Sequence, residues 1–128
     1  MEDVKIKLAT MWIFLAVGFS AYTTLDTVRP GILEEMLAGT YEGIPLTEGL
    51  LLFFALFWLI PLTMALLSLT LKGSTIRWAN IIVGIIWIGF SILDLFEGGL
   101  FLAQRLIEAS KILVAILIVW HAWKWPKQ

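Results

Sequence analysis

Glu108 and Lys111 stand three residues apart in the last apolar stretch of the chain, with Gln104 and Arg105 one turn before them. Asp94 and Glu97 close the apolar stretch that precedes it. An ionisable side chain held in hydrocarbon is costly, so it pairs, lines a polar cavity or meets a ligand. Two kinds of chemistry are open to such a set: acid–base work by the carboxylates, or binding of a polar ligand or ion. The candidate ligand-binding residues are Asp94, Glu97, Arg105, Glu108 and Lys111, with Trp87 and Trp58 as candidate walls. No catalytic residue and no metal ligand is assigned, because nothing positions a nucleophile or a cofactor.

Depth is what singles out the pair. From Ile112 to Trp123 the fourth segment has only 12 residues, His121 among them. A helix rises about 1.5 Å per residue and the hydrocarbon is about 30 Å thick, so a span needs about 20 residues. Counting back that far from Trp125 draws Lys111 and Glu108 into the outer edge of the hydrocarbon.

The elements that must hold these residues follow from composition. The chain has 128 residues, 60% hydrophobic and 15% charged, with mean hydropathy +0.93. Soluble domains run at about 45–50% apolar and about 25% charged, so this is membrane composition. The expectation is one integral membrane domain over residues 1–128, with spans at about 8–25, 49–71, 76–96 and 103–125. Backbone groups in hydrocarbon must satisfy each other, which makes the spans helices. Cysteine is absent and His121 is the one histidine, which excludes disulfides, thiol chemistry and a multi-histidine metal or haem site within one chain. No cofactor is expected. Lysines before the first span and small residues near its end also resemble a signal peptide, but the apolar run is long for one, and Glu2 and Asp3 dilute its positive start.

Basic residues set an expected orientation. Lys5, Lys7, Lys72, Arg77, Lys124 and Lys127 fall on one side, against Arg29, Arg105 and Lys111 on the other. By the positive-inside rule both termini are cytoplasmic. Most acids gather on the opposite side: Asp26, Glu34, Glu35, Glu42, Glu48, Asp94, Glu97 and Glu108. They read as a solvated outer surface or as an acidic mouth that attracts cations. Trp12, Trp78, Trp120, Trp123 and Trp125 read as rings anchored at the cytoplasmic interface, His121 among them.

The long connection after Asp26 contains a short amphipathic helix between Pro30 and Gly39, with Ile32, Leu33, Met36 and Leu37 on one face. It reads as an interfacial anchor or a lid. Thr47 is the expected N-cap of the second span and Ser74 that of the third. Short links then predict neighbouring antiparallel helices: an all-α, four-transmembrane-helix antiparallel bundle with this small helix in the first extracytoplasmic loop. No internal repeat supports a transporter-type inverted architecture.

Spacing converts the polar residues into stripes. Asn80, Gly84, Trp87, Ser91, Asp94 and Gly98 alternate by four and three, as do Gln104, Glu108, Lys111, Ala115, Ile118 and Ala122. Each set lies along one helix face, and polar or small faces turn toward other helices. Thr47, Leu51, Phe54, Trp58, Pro61, Ala65 and Ser68 form a third stripe. Pairing the last two spans about Gly99 brings Asp94 level with Arg105, Ser91 with Glu108, and Trp87 with Lys111 or Ile112. Lys111 then meets Trp87 in a cation–π contact or pairs with Glu108, and Arg105 pairs with Asp94 or Glu97.

The whole chain resembles a family of small four-helix prokaryotic membrane proteins of unknown function. The resemblance rests on Met1-Glu2-Asp3-Val4-Lys5, the Pro30–Gly39 element, Arg77-Trp78-Ala79-Asn80-Ile81-Ile82 and Trp123-Lys124-Trp125-Pro126. It implies topology and a prokaryotic cell membrane, and no activity. The architecture is also loosely similar to DoxX-like proteins. Small multidrug transporters have a glutamate in the first span, and here no acid precedes Asp26 within it.

Three functions fit: a lipid- or small-amphiphile-binding accessory bundle with a polar outer-half cavity, a structural or assembly subunit, and an oligomeric transporter or channel. An enzyme fits least. Membrane lipids are the expected partners, with a homo-oligomer as a further one and nucleic acid excluded.

Overall fold

A computed structural model describes residues 2–71, 74–98 and 100–125, without the Glu2 side chain. Lys72, Gly99 and Lys127, which entered the charge count and the pairing register, lie outside the described residues. The elements are α1 (Glu2–Asp26), α2 (Ile32–Leu37), β1 (Thr40–Tyr41), β2 (Ile44–Pro45), α3 (Glu48–Thr70), α4 (Ser74–Leu95) and α5 (Leu102–Lys124). The protein is all-α apart from the two-residue strands. Three of the four long helices are long and apolar enough to cross a membrane: Asp3–Asp26, Glu48–Thr70 and Ser74–Leu95. The fourth, α5, has 23 residues but carries Arg105, Glu108 and Lys111 near its start.

The helices pack inside out. On α5 the buried residues are Gln104, Glu108, Lys111, Ala115, Ile118 and Ala122, the six of the expected stripe. Leu106, Leu113 and Ile116 of the same helix face outward. On α4 the buried set includes Asn80, Gly84, Trp87 and Ser91, again as spaced. On α3 the stripe holds for Pro61, Ala65 and Ser68 but fails at Leu51, which is 53% exposed.

Neighbours differ from the expected chain order. α1 packs on both α3 and α5, and α5 on α4, whereas the consecutive α3 and α4 touch lightly. Side-chain size explains this. A Cβ added at Gly84 would sit 2.8 Å from Val119 Cγ2, so α4 approaches α5 as closely as glycine permits. Between α3 and α4, Phe57 meets Trp87 and Phe90 at ring-centroid distances of 5.7 and 5.4 Å, and rings hold helix axes apart.

Trp12 and Trp125 are not interfacial rings. They are 0% and 5% exposed, whereas Trp78, Trp120 and Trp123 do face outward. Trp12 Nε1 donates to Asn80 Oδ1 at 2.7 Å, and Asn80 Nδ2 donates to Ser68 Oγ at 3.2 Å and to the Ile76 carbonyl at 2.9 Å. That knot joins α1, α3 and α4, and satisfies polar groups that burial would otherwise penalise.

Thr47 caps α3 as expected, accepting from the Leu50 N–H at 3.2 Å. Ser74 is already inside α4, so it is not the residue that precedes the helix. The loop helix is shorter than its Pro30 start implied. α2 begins after Gly31, whose φ of 83° suits glycine, and Gly39 follows its end at φ 93°. The β1–β2 hairpin was not anticipated. Its turn, Glu42-Gly43, has positive φ at both residues, as a tight two-residue hairpin needs.

Candidate functional site

Polar groups form a column along the inside of the bundle, in three levels. At the loop end, Asp26 terminates α1 with 4% exposure. Gln104 Nε2 donates to Asp26 Oδ1 at 3.0 Å, Arg29 Nε lies 2.5 Å from the same oxygen, and the Tyr41 hydroxyl donates to Asp26 Oδ2. Arg29 Nη2 donates to Glu42 Oε1 at 2.8 Å, which ties the hairpin to the end of α1. Burial opposes the Arg29 charge, but the Glu42 and Asp26 carboxylates outweigh it and push its pKa up. Burial, then the bond to Asp26, pushes the Tyr41 phenol up as well. Glu97, between α4 and α5, is pushed up to about 7 by burial and then by the Glu42 carboxyl beside it.

One level deeper are Glu108 and Lys111, 0% and 4% exposed. Lys111 Nζ donates to Glu108 Oε1 at 2.6 Å. Glu108 Oε2 is buried and has no hydrogen-bond partner among the described residues. The Lys111 ammonium lies over the rings of Phe19 at 5.3 Å and Tyr22 at 5.7 Å, both on α1. Its stem runs against Gly18, where an added Cβ would sit 3.0 Å from Lys111 Cγ. The third level is the Trp12–Asn80–Ser68 knot.

The seven expected site residues separate into groups. Glu108 and Lys111 pair directly, as their spacing suggested. Lys111 turns to α1 and not to Trp87, because Gly18 leaves room for its stem there. Arg105 lies level with the end of α4, as the register required, but donates to the Leu95 and Glu97 carbonyls and not to a carboxylate. Open backbone carbonyls at that helix end attract the guanidinium. Asp94 is half-buried, within electrostatic range of Lys111 and Glu108. Trp58 donates to Ser20 Oγ at 2.5 Å and packs edge-on to Phe19 at 4.5 Å. Trp87 is buried edge-on to Trp12 at 6.3 Å.

Sequence reasoning missed the contribution of α1. Its inward face reads Lys5, Leu8, Trp12, Leu15, Phe19, Tyr22 and Asp26, each buried. These residues alternate by three and four like the other stripes, but exposed Ile13, Phe14 and Val17 are equally apolar, so the spacing alone did not mark the face.

On the outer side of the α1–α5 contact lies an apolar groove of about 280 Å³, lined by Phe14, Val17, Gly18 and Ala21 of α1 and Leu106, Ile107 and Ser110 of α5. Gly18 faces both ways, forming part of the groove and touching the Lys111 stem. Among the described residues no group of three or more His, Cys, Asp or Glu is placed to hold a metal ion.

A family model described as "Family of unknown function (DUF6326)" matches residues 1–128. The chain belongs to the DUF6326 family. No curated protein and no solved structure matches it. Membership of DUF6326 therefore carries no activity with it, and the chemistry of the column has to be argued from its own geometry.

Proposed function

We propose that this DUF6326 protein is a four-span membrane bundle that binds a lipid or small amphiphile, its apolar chain in the α1–α5 groove and its polar head at Glu108–Lys111. The observation that carries this reading is Glu108 Oε2, a fully buried carboxylate oxygen with no hydrogen-bond partner among the described residues. Such an oxygen costs free energy unless something donates to it. Elsewhere in the column Asn80, Ser68 and Gln104 have partners and serve packing, and Arg29 Nε, the other buried atom without a hydrogen bond among the described residues, lies against the Asp26 carboxylate.

The inside-out burial of α5 supports its crossing the membrane as the fourth span, with Leu106, Leu113 and Ile116 turned to lipid. The distribution of Lys and Arg supports both termini on the cytoplasmic side, with the column opening outward. Membrane lipids are then the immediate partners.

Native mass spectrometry of the purified protein tests the reading. Wild type should retain a lipid or amphiphile, and substituting both Glu108 and Lys111 with Leu should release it while the helices stay folded. A folded double variant that kept its ligand would place the site elsewhere.

A further inference from the structure

We propose that the head taken by this site is a cation with N–H donors, that is, the ammonium of a lipophilic amine. The inference rests on the amphiphile reading and adds the chemical class.

Glu108 Oε2 can only accept. A carboxylate or phosphate head brings no proton to it and meets its charge. An ammonium brings donors and the opposite charge, and charge-assisted hydrogen bonds are roughly twice as strong as neutral ones.

The cations at this end of the bundle point the same way. Lys111 donates to Glu108 at 2.6 Å, and Arg29 bridges Asp26 and Glu42. Arg105 is turned to the carbonyls of Leu95 and Glu97. Of the three, Lys111 alone lies beside Glu108, so an anionic head would have to share that one ammonium with the Glu108 carboxylate. Carboxylates outnumber them, with Asp26, Asp94 and Glu97 on the levels around Glu108.

Aromatic faces complete the match. Phe19 and Tyr22 already hold the Lys111 ammonium over their rings, so this wall of α1 stabilises positive charge in a desolvated setting. The groove for the chain and the pair for the head lie back to back across Gly18. At Gly18 the side chain nearest to the groove from the inside is the flexible Lys111 stem.

The test uses the full chain in detergent micelles, with dodecylamine and dodecanoate titrated separately and read by native mass spectrometry. The expected result is retention of dodecylamine at least about tenfold more tightly than dodecanoate, which corresponds to the difference between a charge-assisted donor and a repelled acceptor. E108Q should weaken the amine by about tenfold or more. D94N, at a half-buried position, should weaken the amine by a smaller factor and strengthen dodecanoate, if it changes it at all, which keeps the test decisive if E108Q fails to fold. A21L fills the groove without touching the pair and should weaken both probes. Equal retention of dodecanoate and dodecylamine by wild type would overturn the cation inference and leave amphiphile binding standing. Retention of neither probe, with no co-purified lipid, would overturn both. Amine binding unchanged in folded E108Q, or in D94N if E108Q does not fold, would also overturn the inference.

Discussion

Arg77 and Arg105 each cap the other's helix. Arg77, in the first turn of α4, donates from Nε to the Ala122 carbonyl at 3.0 Å and from Nη2 to the Trp123 carbonyl at 2.8 Å, at the end of α5. Arg105, in the first turn of α5, donates to the Leu95 and Glu97 carbonyls at the end of α4. Terminal carbonyls have no partners within their own helix and carry the negative end of its dipole. The antiparallel pair is therefore clamped at both ends by the same device. R77A should lower stability by about 3 kcal/mol, because two charge-assisted bonds at a buried site are lost. R105A, at a half-exposed site, should cost about 1–2 kcal/mol. The clamps lie at opposite ends of α4, so the double variant should show additive losses in a denaturant titration in micelles. A strongly non-additive double variant would mean that the two ends are not separate devices.

Between those clamps, Gly84 sets the helix separation. A Cβ there would sit 2.8 Å from Val119 Cγ2 and 3.5 Å from Ile118 Cγ2. G84A should destabilise the bundle by about 1–3 kcal/mol through overpacking. V119A removes the methyl that blocks it, so G84A/V119A should recover part of that loss in the same titration. No recovery would locate the strain on the backbone and not at Val119.

How much of this was legible depended on contrast. The α5 stripe could be read residue by residue because Gln104, Glu108 and Lys111 stand out against Leu and Ile. The α1 face could not. Between Lys5 and Asp26 its buried residues are apolar or aromatic, and in a chain whose outer surface is also apolar such residues look the same on either side. Leu51 was misplaced for that reason, and Trp12 was read as an interfacial ring although it closes a buried knot. Distance along the chain also hid the site's second half: nothing near Glu108 announces Gly18 or Tyr22, which come from the other end of the sequence.

Glu97 makes the loop end pH-dependent. Burial and the Glu42 carboxyl raise it from the ordinary 4.5 to about 7, so the folded state holds its proton more tightly than the unfolded chain does. The stabilisation is full below about 4.5 and is lost as pH rises through about 7. Stability measured from pH 5 to pH 8 should therefore fall for wild type, and E97Q should remove that part of the slope. An unchanged slope in E97Q would assign the titration to another group.

Trp12 tests the buried knot. W12F keeps the ring, which is 0% exposed and edge-on to Trp87, but removes the Nε1–H that reaches Asn80 Oδ1 at 2.7 Å. It should cost about 1–3 kcal/mol, the penalty for leaving a buried acceptor with a lost donor. Adding N80L takes away the amide whose oxygen then keeps only the Ser68 hydroxyl, at 3.4 Å. The pair W12F/N80L should then be less destabilised than the sum of its single variants, provided that Ser68 Oγ finds a backbone carbonyl on its own helix. Simple additivity would show that Trp12 contributes by packing alone.

Stability and binding make opposite demands on Glu108 and Lys111. K111M leaves a carboxylate buried with neither oxygen paired, which should cost about 3–5 kcal/mol. Replacing both residues with Leu removes both charges and restores apolar packing, and such exchanges are often neutral or stabilising by about 1–4 kcal/mol. Thermal unfolding in micelles should thus rank the proteins with the double Leu variant at or above wild type and K111M well below. If the pair existed only to hold α5 against α1, apolar residues would serve that purpose better. A double variant more stable than wild type and unable to retain an amphiphile would therefore assign the charges to binding. A double variant as destabilised as K111M would assign them to the fold.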